Sequence, residues 1–154
     1  MGTNRYCVLL VDDDLVQIDK VRHAVVESGL DIELNAVAGG DAVLDWFRSC
    51  VRNNDQLPDI ILLDLKLPKL DNLAVLRKLR NDASTSEIPI MVCSAEYTQE
   101  DILTSYKAGA NTFVAKPTDS VQCAELLRER LAYWMHPQQH KLFPSAQNGA
   151  AELI

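Results

Sequence analysis

The 154-residue chain has no run of basic residues and no interleaving of basic with aromatic side chains, and 15 Lys and Arg against 22 Asp and Glu leave a formal charge of -7. A nucleic-acid partner calls for a positive footprint and, on single strands, aromatic stacking platforms, so DNA or RNA binding is not expected. No apolar run approaches the roughly 18 residues a membrane span requires. Met1 to Tyr6 lead into a strand pattern with no charged-then-apolar leader, so a cytoplasmic protein without membrane contact is expected. Cysteine is sparse: Cys7, Cys50, Cys93 and Cys123 are scattered and form no C-x-x-C pair. They read as small buried hydrophobes in a reducing compartment rather than as a disulfide framework. His23, His136 and His140 have no Cys or carboxylate at metal-ligand spacing.

What is present is an alternation of apolar runs of strand length with segments of helical period, five pairs in all, which predicts βα units around a parallel sheet. A strand over about 5–11 precedes a helix over about 15–28, with Leu15, Ile18, Val21 and Val25 facing in, Asp14 as N-cap and Gly29 as C-cap. Ile32 to Ala38 is a second strand, and Val43, Leu44 and Phe47 mark a second helix. The polar stretch Arg52 to Pro58 connects to a third strand ending at Asp64. Leu73, Leu76 and Leu79 share a face of the third helix. Pro89 to Cys93, Thr98 to Lys107, Asn111 to Ala115 and Val121 to Trp134 complete the pattern. Residues 136–154 are rich in Gln, Ala, Pro and Gly and show no period, repeat or DNA-binding helix pair.

The chemistry-bearing residues fall at strand ends, where open α/β sheets place their sites. Asp12 and Asp13 follow the first strand, Asp64 closes the third, and Lys116 follows the fifth. Alone, the acids could cap a helix and the lysine could be a solvated surface charge. Three acids exceed what capping requires, and together with a lysine they describe a site.

Four motifs in order carry a resemblance. Leu9-Leu10-Val11-Asp12-Asp13-Asp14, Leu62-Leu63-Asp64-Leu65-Lys66-Leu67-Pro68, Cys93-Ser94-Ala95 and Phe113-Val114-Ala115-Lys116-Pro117 resemble the receiver domains of bacterial two-component response regulators. The resemblance covers about residues 4–134, with 135–154 as a tail and no separate output domain expected. It implies a flavodoxin-like (βα)5 fold with sheet order 2-1-3-4-5. It also implies that Asp64 is the phosphoacceptor, taking a phosphoryl group from a histidine of a sensor kinase. Asp12, Asp13 and Asp64, with the backbone carbonyl of Lys66, would hold Mg²⁺ (or Mn²⁺), Asp13 directly and Asp12 mostly through water. Lys116 would pair with the phosphoryl group, and the bond before Pro117 would be cis. Ser94, followed by Ala95, would be the switch hydroxyl, and Phe113 the aromatic that swings inward.

Some positions depart from the family pattern. Asn72 stands where Gly is usual and still suits a left-handed turn, and Phe113 lacks the hydroxyl of the commoner Tyr. Lys66 and Glu96 flank the phosphoryl position with opposite charges. The motifs look like those of single-domain regulators serving phytochrome-type histidine kinases, which implies a homodimer through the fourth helix, fifth strand and fifth helix, and a downstream protein partner. The aromatic pair Tyr133-Trp134 would anchor that interface. A chemotaxis-type regulator or phosphorelay intermediate stays open. An aspartyl-nucleophile phosphohydrolase usually carries an acid where Lys66 stands, so the chain is not expected to be an enzyme. A flavin carrier would find three acids repelling its phosphate.

Overall fold

The computed structural model describes residues 5–39, 41–65, 72–116 and 120–134, in which five strands alternate with five helices. In order they are β1 (Tyr6–Val11), α1 (Leu15–Ser28), β2 (Ile32–Val37), α2 (Asp41–Asn53), β3 (Ile60–Asp64), α3 (Asn72–Asn81), β4 (Ile90–Ser94), α4 (Gln99–Ala108), β5 (Thr112–Ala115) and α5 (Ser120–Trp134). The strands form one parallel sheet in the order β2-β1-β3-β4-β5. That is the expected flavodoxin-like arrangement.

The inner strands are nearly continuous apolar runs because helices cover both faces of a parallel sheet. Alternate residues then go to opposite sides. Leu9, Val11, Ile61, Leu63, Val92 and Phe113 pack with Phe47 of α2, Leu76 and Leu79 of α3, and Ile102 of α4. Val8, Leu10, Ile60, Leu62, Met91 and Val114 pack with Val21 and Val25 of α1 and with Leu127 and Leu131 of α5.

Local signals set the helix ends. Asp14 Oδ1 accepts the Val16 N–H at 2.9 Å, and Gly29 closes α1 at φ 75°. Thr98 and Asp101 form a reciprocal capping box on α4. The inward stripe expected on α1 holds at Val21 and Val25, whereas Leu15 is 77% exposed. The first turn of α1 rises past the carboxyl edge of the sheet, beyond the apolar surface that buries the later turns. Arg52 and Asn53 belong to α2 rather than to the connector. Ser94 is the last residue of β4, not the residue after it. Val121 falls within α5, but its side chain lies outside what is described.

At the amino end of the sheet, Arg80 in the last turn of α3 acts as a clamp. Its guanidinium donates to the carbonyls of Gly109 at 2.8 Å, Ser86 at 3.2 Å and Ile88 at 2.8 Å, and to Asn111 Oδ1 at 2.5 Å. Asn111 Oδ1 in turn accepts the Ile90 N–H at 2.8 Å. The turns leading into β4 and β5 are thereby fixed to α3 where those strands begin.

Candidate functional site

Register carries the site residues to one edge. Val11 pairs with Leu63, Asp64 with Cys93, and Ser94 with Ala115. The position just beyond Val11 is therefore level with Asp64, and the position just beyond Ala115 lies one step past Ser94. Asp12, Asp64 and Lys116 continue the strand positions that face α1 and α5. Ser94 continues the positions that face α2, α3 and α4.

Asp12 is fully buried. Its Oδ1 accepts the Asp14 N–H at 2.9 Å, and its Oδ2 has no hydrogen-bond partner, with Lys116 Nζ 3.6 Å away. Lys116 Nζ instead donates to Asp64 Oδ2 at 2.9 Å, and its backbone N–H donates to the Ser94 carbonyl at 2.8 Å. Burial raises the Asp12 pKa above the usual carboxylate range, and the Asp64 charge adds to it. The Asp14 N–H and the Lys116 charge only partly offset this. Burial works against the Lys116 ammonium, but the hydrogen bond and charge of Asp64 outweigh it, with smaller contributions from Cys93 and Asp12. The net shift is upward. The lysine is thus committed chiefly to Asp64, and Asp12 is left with an uncompensated oxygen.

That orphaned oxygen bears on whether the residues suit a cation. A buried carboxylate oxygen with no donor, close to a second carboxylate, is a hard anionic donor set of the kind Mg²⁺ or Mn²⁺ takes. The residues fit such an ion. Asp13 is exposed, and among the described residues no group of three or more Asp, Glu, His or Cys is drawn together tightly enough to enclose one. Lys66 and Pro117, the expected carbonyl ligand and cis-proline, lie outside the described residues. No described peptide bond is cis.

On the other face of the sheet, Ser94 is fully buried and its Oγ donates to the Glu96 carbonyl at 2.5 Å. Ala95 beside it is exposed. Phe113 is 2% exposed, already within the core. Two residues that the sequence reading passed over enclose it: the Tyr97 ring meets it edge-on at 5.2 Å, and Tyr106 Oη accepts its backbone N–H at 3.0 Å. A tyrosine seven residues before a strand residue, on the helix feeding that strand, was the available signal for Tyr106. Beneath the Lys116–Asp64 pair lies an apolar cavity of about 30 Å³ lined by Leu10, Leu62, Met91, Cys93 and Leu127 among others.

Known proteins resemble this chain over most of its length. The response regulator receiver domain family matches residues 8–128. Response regulator Rcp1 of Synechocystis is 26% identical over 83% of this chain and 88% of its own length. A crystal structure of a Mn²⁺-bound Rcp1 superposes with a TM-score of 0.72 at 25% identity, covering 85% of this chain and 95% of that one. The phosphorylated cyanobacterial phytochrome response regulator RcpA gives a TM-score of 0.76 at 27% identity over 87% of this chain and 96% of its own. RPA3017, a response regulator in red light signaling of R. palustris, gives 0.77 at 26% over 84% and 94%. With its fold, its strand-end acids and lysine, and the match over residues 8–128, the chain belongs to the response regulator receiver domain family.

Proposed function

We propose that Asp64 is the residue that accepts the phosphoryl group, which is the function of the family. The observation that carries this is the 2.9 Å contact between Lys116 Nζ and Asp64 Oδ2. In this reading an Asp64 oxygen attacks the phosphorus, the P–N bond to a histidine of a sensor kinase breaks, and the imidazole keeps the electron pair. An acyl phosphate results. Lys116 then meets the charge that moves onto the phosphoryl oxygens. Asp12, Asp13 and Asp64, with the Lys66 carbonyl, would hold Mg²⁺ or Mn²⁺, which supplies further positive charge at those oxygens. Asp12 is suited to this role because its own oxygen lacks a donor. The chain assists its own phosphorylation and dephosphorylation and acts on no other substrate.

The partner in this proposal is a phytochrome-type histidine kinase, in keeping with the regulators RcpA and RPA3017 that the chain resembles. Residues 4–134 act as the receiver, in the cytoplasm, and the signal leaves by protein contact. The face made by α4, β5 and α5, where Leu103 is 58% exposed, forms a homodimer and meets the downstream protein. Tyr133 is half-buried on α5, and the side chain of Trp134 lies outside what is described.

Intact mass after incubation with acetyl phosphate and Mg²⁺ tests the core of the proposal. One added phosphoryl group is expected, absent in Asp64→Asn and in the presence of chelator. Addition to Asp64→Asn would overturn the assignment. Phosphotransfer assays comparing a phytochrome-type kinase with an unrelated one test the partner, and faster transfer from the former is expected. A concentration-independent monomer mass with beryllofluoride bound would remove the dimer.

A further inference from the structure

We propose that Asp14 is a positioning residue for the cation site: as N-cap of α1 it fixes the backbone N–H that holds one oxygen of Asp12 and leaves the other for the ion. The inference rests on the reading of Asp12 as part of a Mg²⁺ or Mn²⁺ site, and it assigns Asp14 no contact with the cation.

Asp12 is placed in two steps. Its backbone N–H donates to the Val37 carbonyl at 2.9 Å, which ties its main chain to β2. Its Oδ1 accepts the Asp14 N–H at 2.9 Å, which sets the side chain. What remains is Oδ2, in a residue that is 0% exposed, with no hydrogen-bond partner. Lys116 Nζ stands 3.6 Å from that oxygen and competes for it. A carboxylate free to turn would close on the ammonium as a charge-assisted hydrogen bond, and the oxygen would no longer be open to an ion.

The Asp14 N–H holds Asp12 only as firmly as Asp14 is itself held. The Asp14 carbonyl accepts the Ile18 N–H at 3.0 Å, and its Oδ1 accepts the Val16 N–H at 2.9 Å. With φ -97° and ψ 112° the residue is extended, so its own N–H stands outside the helical ladder and goes to Asp12. Packing gives this turn little support. Leu15 is 77% exposed and Val16 61% exposed, and the buried residues of α1 begin at Val21. The side-chain cap is therefore what keeps the first turn from fraying and the Asp14 peptide in place.

A carboxylate at position 14 could instead act through its charge, and four substitutions separate the two roles. Asp14→Asn and Asp14→Ser keep a capping oxygen without the charge. Asp14→Glu keeps the charge, but its extra methylene spoils the cap geometry, and Asp14→Ala keeps neither. Mn²⁺ titrations of the full chain in about 0.15 M salt, where exposed charges are partly screened, are read by the electron paramagnetic resonance of free Mn²⁺. No phosphoryl donor is present. Wild type, Asn and Ser proteins are expected to bind alike, whereas Glu and Ala weaken binding about fivefold, the scale of one lost N-cap. Amide hydrogen exchange should show the Asp14 backbone N–H protected in the first three and opened in the last two. Gly29→Ala, which loosens the far end of α1, is expected to leave Mn²⁺ affinity unchanged, with thermal melts confirming that each protein is folded during the titration. Wild-type affinity in Asp14→Glu together with weakened binding in Asp14→Asn would assign the role to charge and overturn the inference. Equal weakening in Gly29→Ala would overturn it too, since general loosening of the helix would then suffice. Failure of the wild type to bind Mn²⁺ would overturn the cation reading of Asp12 and this inference with it.

Discussion

Lys116 Nζ stands 2.9 Å from Asp64 Oδ2 but 3.6 Å from Asp12 Oδ2, so one ammonium divides itself unequally between two carboxylates, one at the end of the central strand β3 and one just past its neighbour β1. The nearer contact is a hydrogen bond and the farther one is attraction only. Asp64 is therefore neutralised before any cation arrives, and Asp12 is not.

Replacing Lys116 removes a positive charge that competes with a bound cation. Lys116→Met is expected to tighten Mg²⁺ or Mn²⁺ binding by about tenfold at low ionic strength, the scale of one charge acting over a few ångströms at intermediate dielectric. Calorimetric titration of both proteins checks this, and weaker binding in the variant would contradict it.

Asp12→Asn is expected to stabilise the metal-free protein by about 1 kcal/mol, or roughly 3 °C in Tm. Because the folded pKa of Asp12 is raised, its protonated form is favoured on folding. That contribution is complete below the unfolded carboxylate pKa and is lost as pH rises through the folded value. The gain from Asn should therefore be present at pH 7 and vanish at acid pH. Thermal melts in chelator at both pH values measure it, and the rise in Tm that Mg²⁺ brings to wild type should disappear in the variant.

The Arg80 clamp makes two neighbouring substitutions costly. Arg80→Ala strands several carbonyls at once and is expected to cost about 2–4 kcal/mol, with Arg80→Lys recovering less than half because an ammonium cannot span the same acceptors. At Gly109, φ is 119° and an added Cβ would come 2.5 Å from Arg80 Cγ, whereas at Gly29 an added Cβ meets nothing within 4 Å. Gly109→Ala should cost about 2–3 kcal/mol and Gly29→Ala about 1 kcal/mol. Urea midpoints rank all four variants.

Thiol reactivity should separate the described cysteines. Cys7 and Cys50 are buried, and burial pushes the Cys7 thiol up to about 11, with the charge of Glu33 next in weight. Cys93 is partly exposed. Alkylation of native protein at pH 8, mapped by mass, is expected to mark Cys93 well before Cys7 and Cys50. Since the raised Cys7 pKa favours the thiol in the folded state, its contribution is intact below pH 9 and is lost as pH rises toward 11. Stability should fall across that window and fall less in Cys7→Ala.

Much of this was readable along the chain. Ile60 to Leu63 is too short for a helix and apolar throughout, so it marks a strand buried on both faces and places Asp64 at its end. Asp14, Thr98, Gly29 and Gly109 are local stop and start signals, and they fall where the helices begin and end. Leu15 was misread because helical period says which face a residue shares, not whether the sheet extends far enough to cover it. Arg80 was not legible, because its acceptors lie up to 31 residues away and are backbone carbonyls, which no side-chain pattern announces.

Sequence by itself determined the order of strands and helices, the acids and lysine at strand ends, and hence the family, because periodicity, capping and motif order are properties of neighbours along the chain. Tertiary structure alone decided how those groups share their contacts. It committed Lys116 to Asp64 rather than Asp12, left an Asp12 oxygen without a donor, turned the Ser94 hydroxyl to Glu96, and seated Phe113 in the core under Tyr97 and Tyr106. Each of these outcomes turns on differences of about an ångström between atoms brought together by sheet register, and electrostatics and hydrogen bonding are steep at that range.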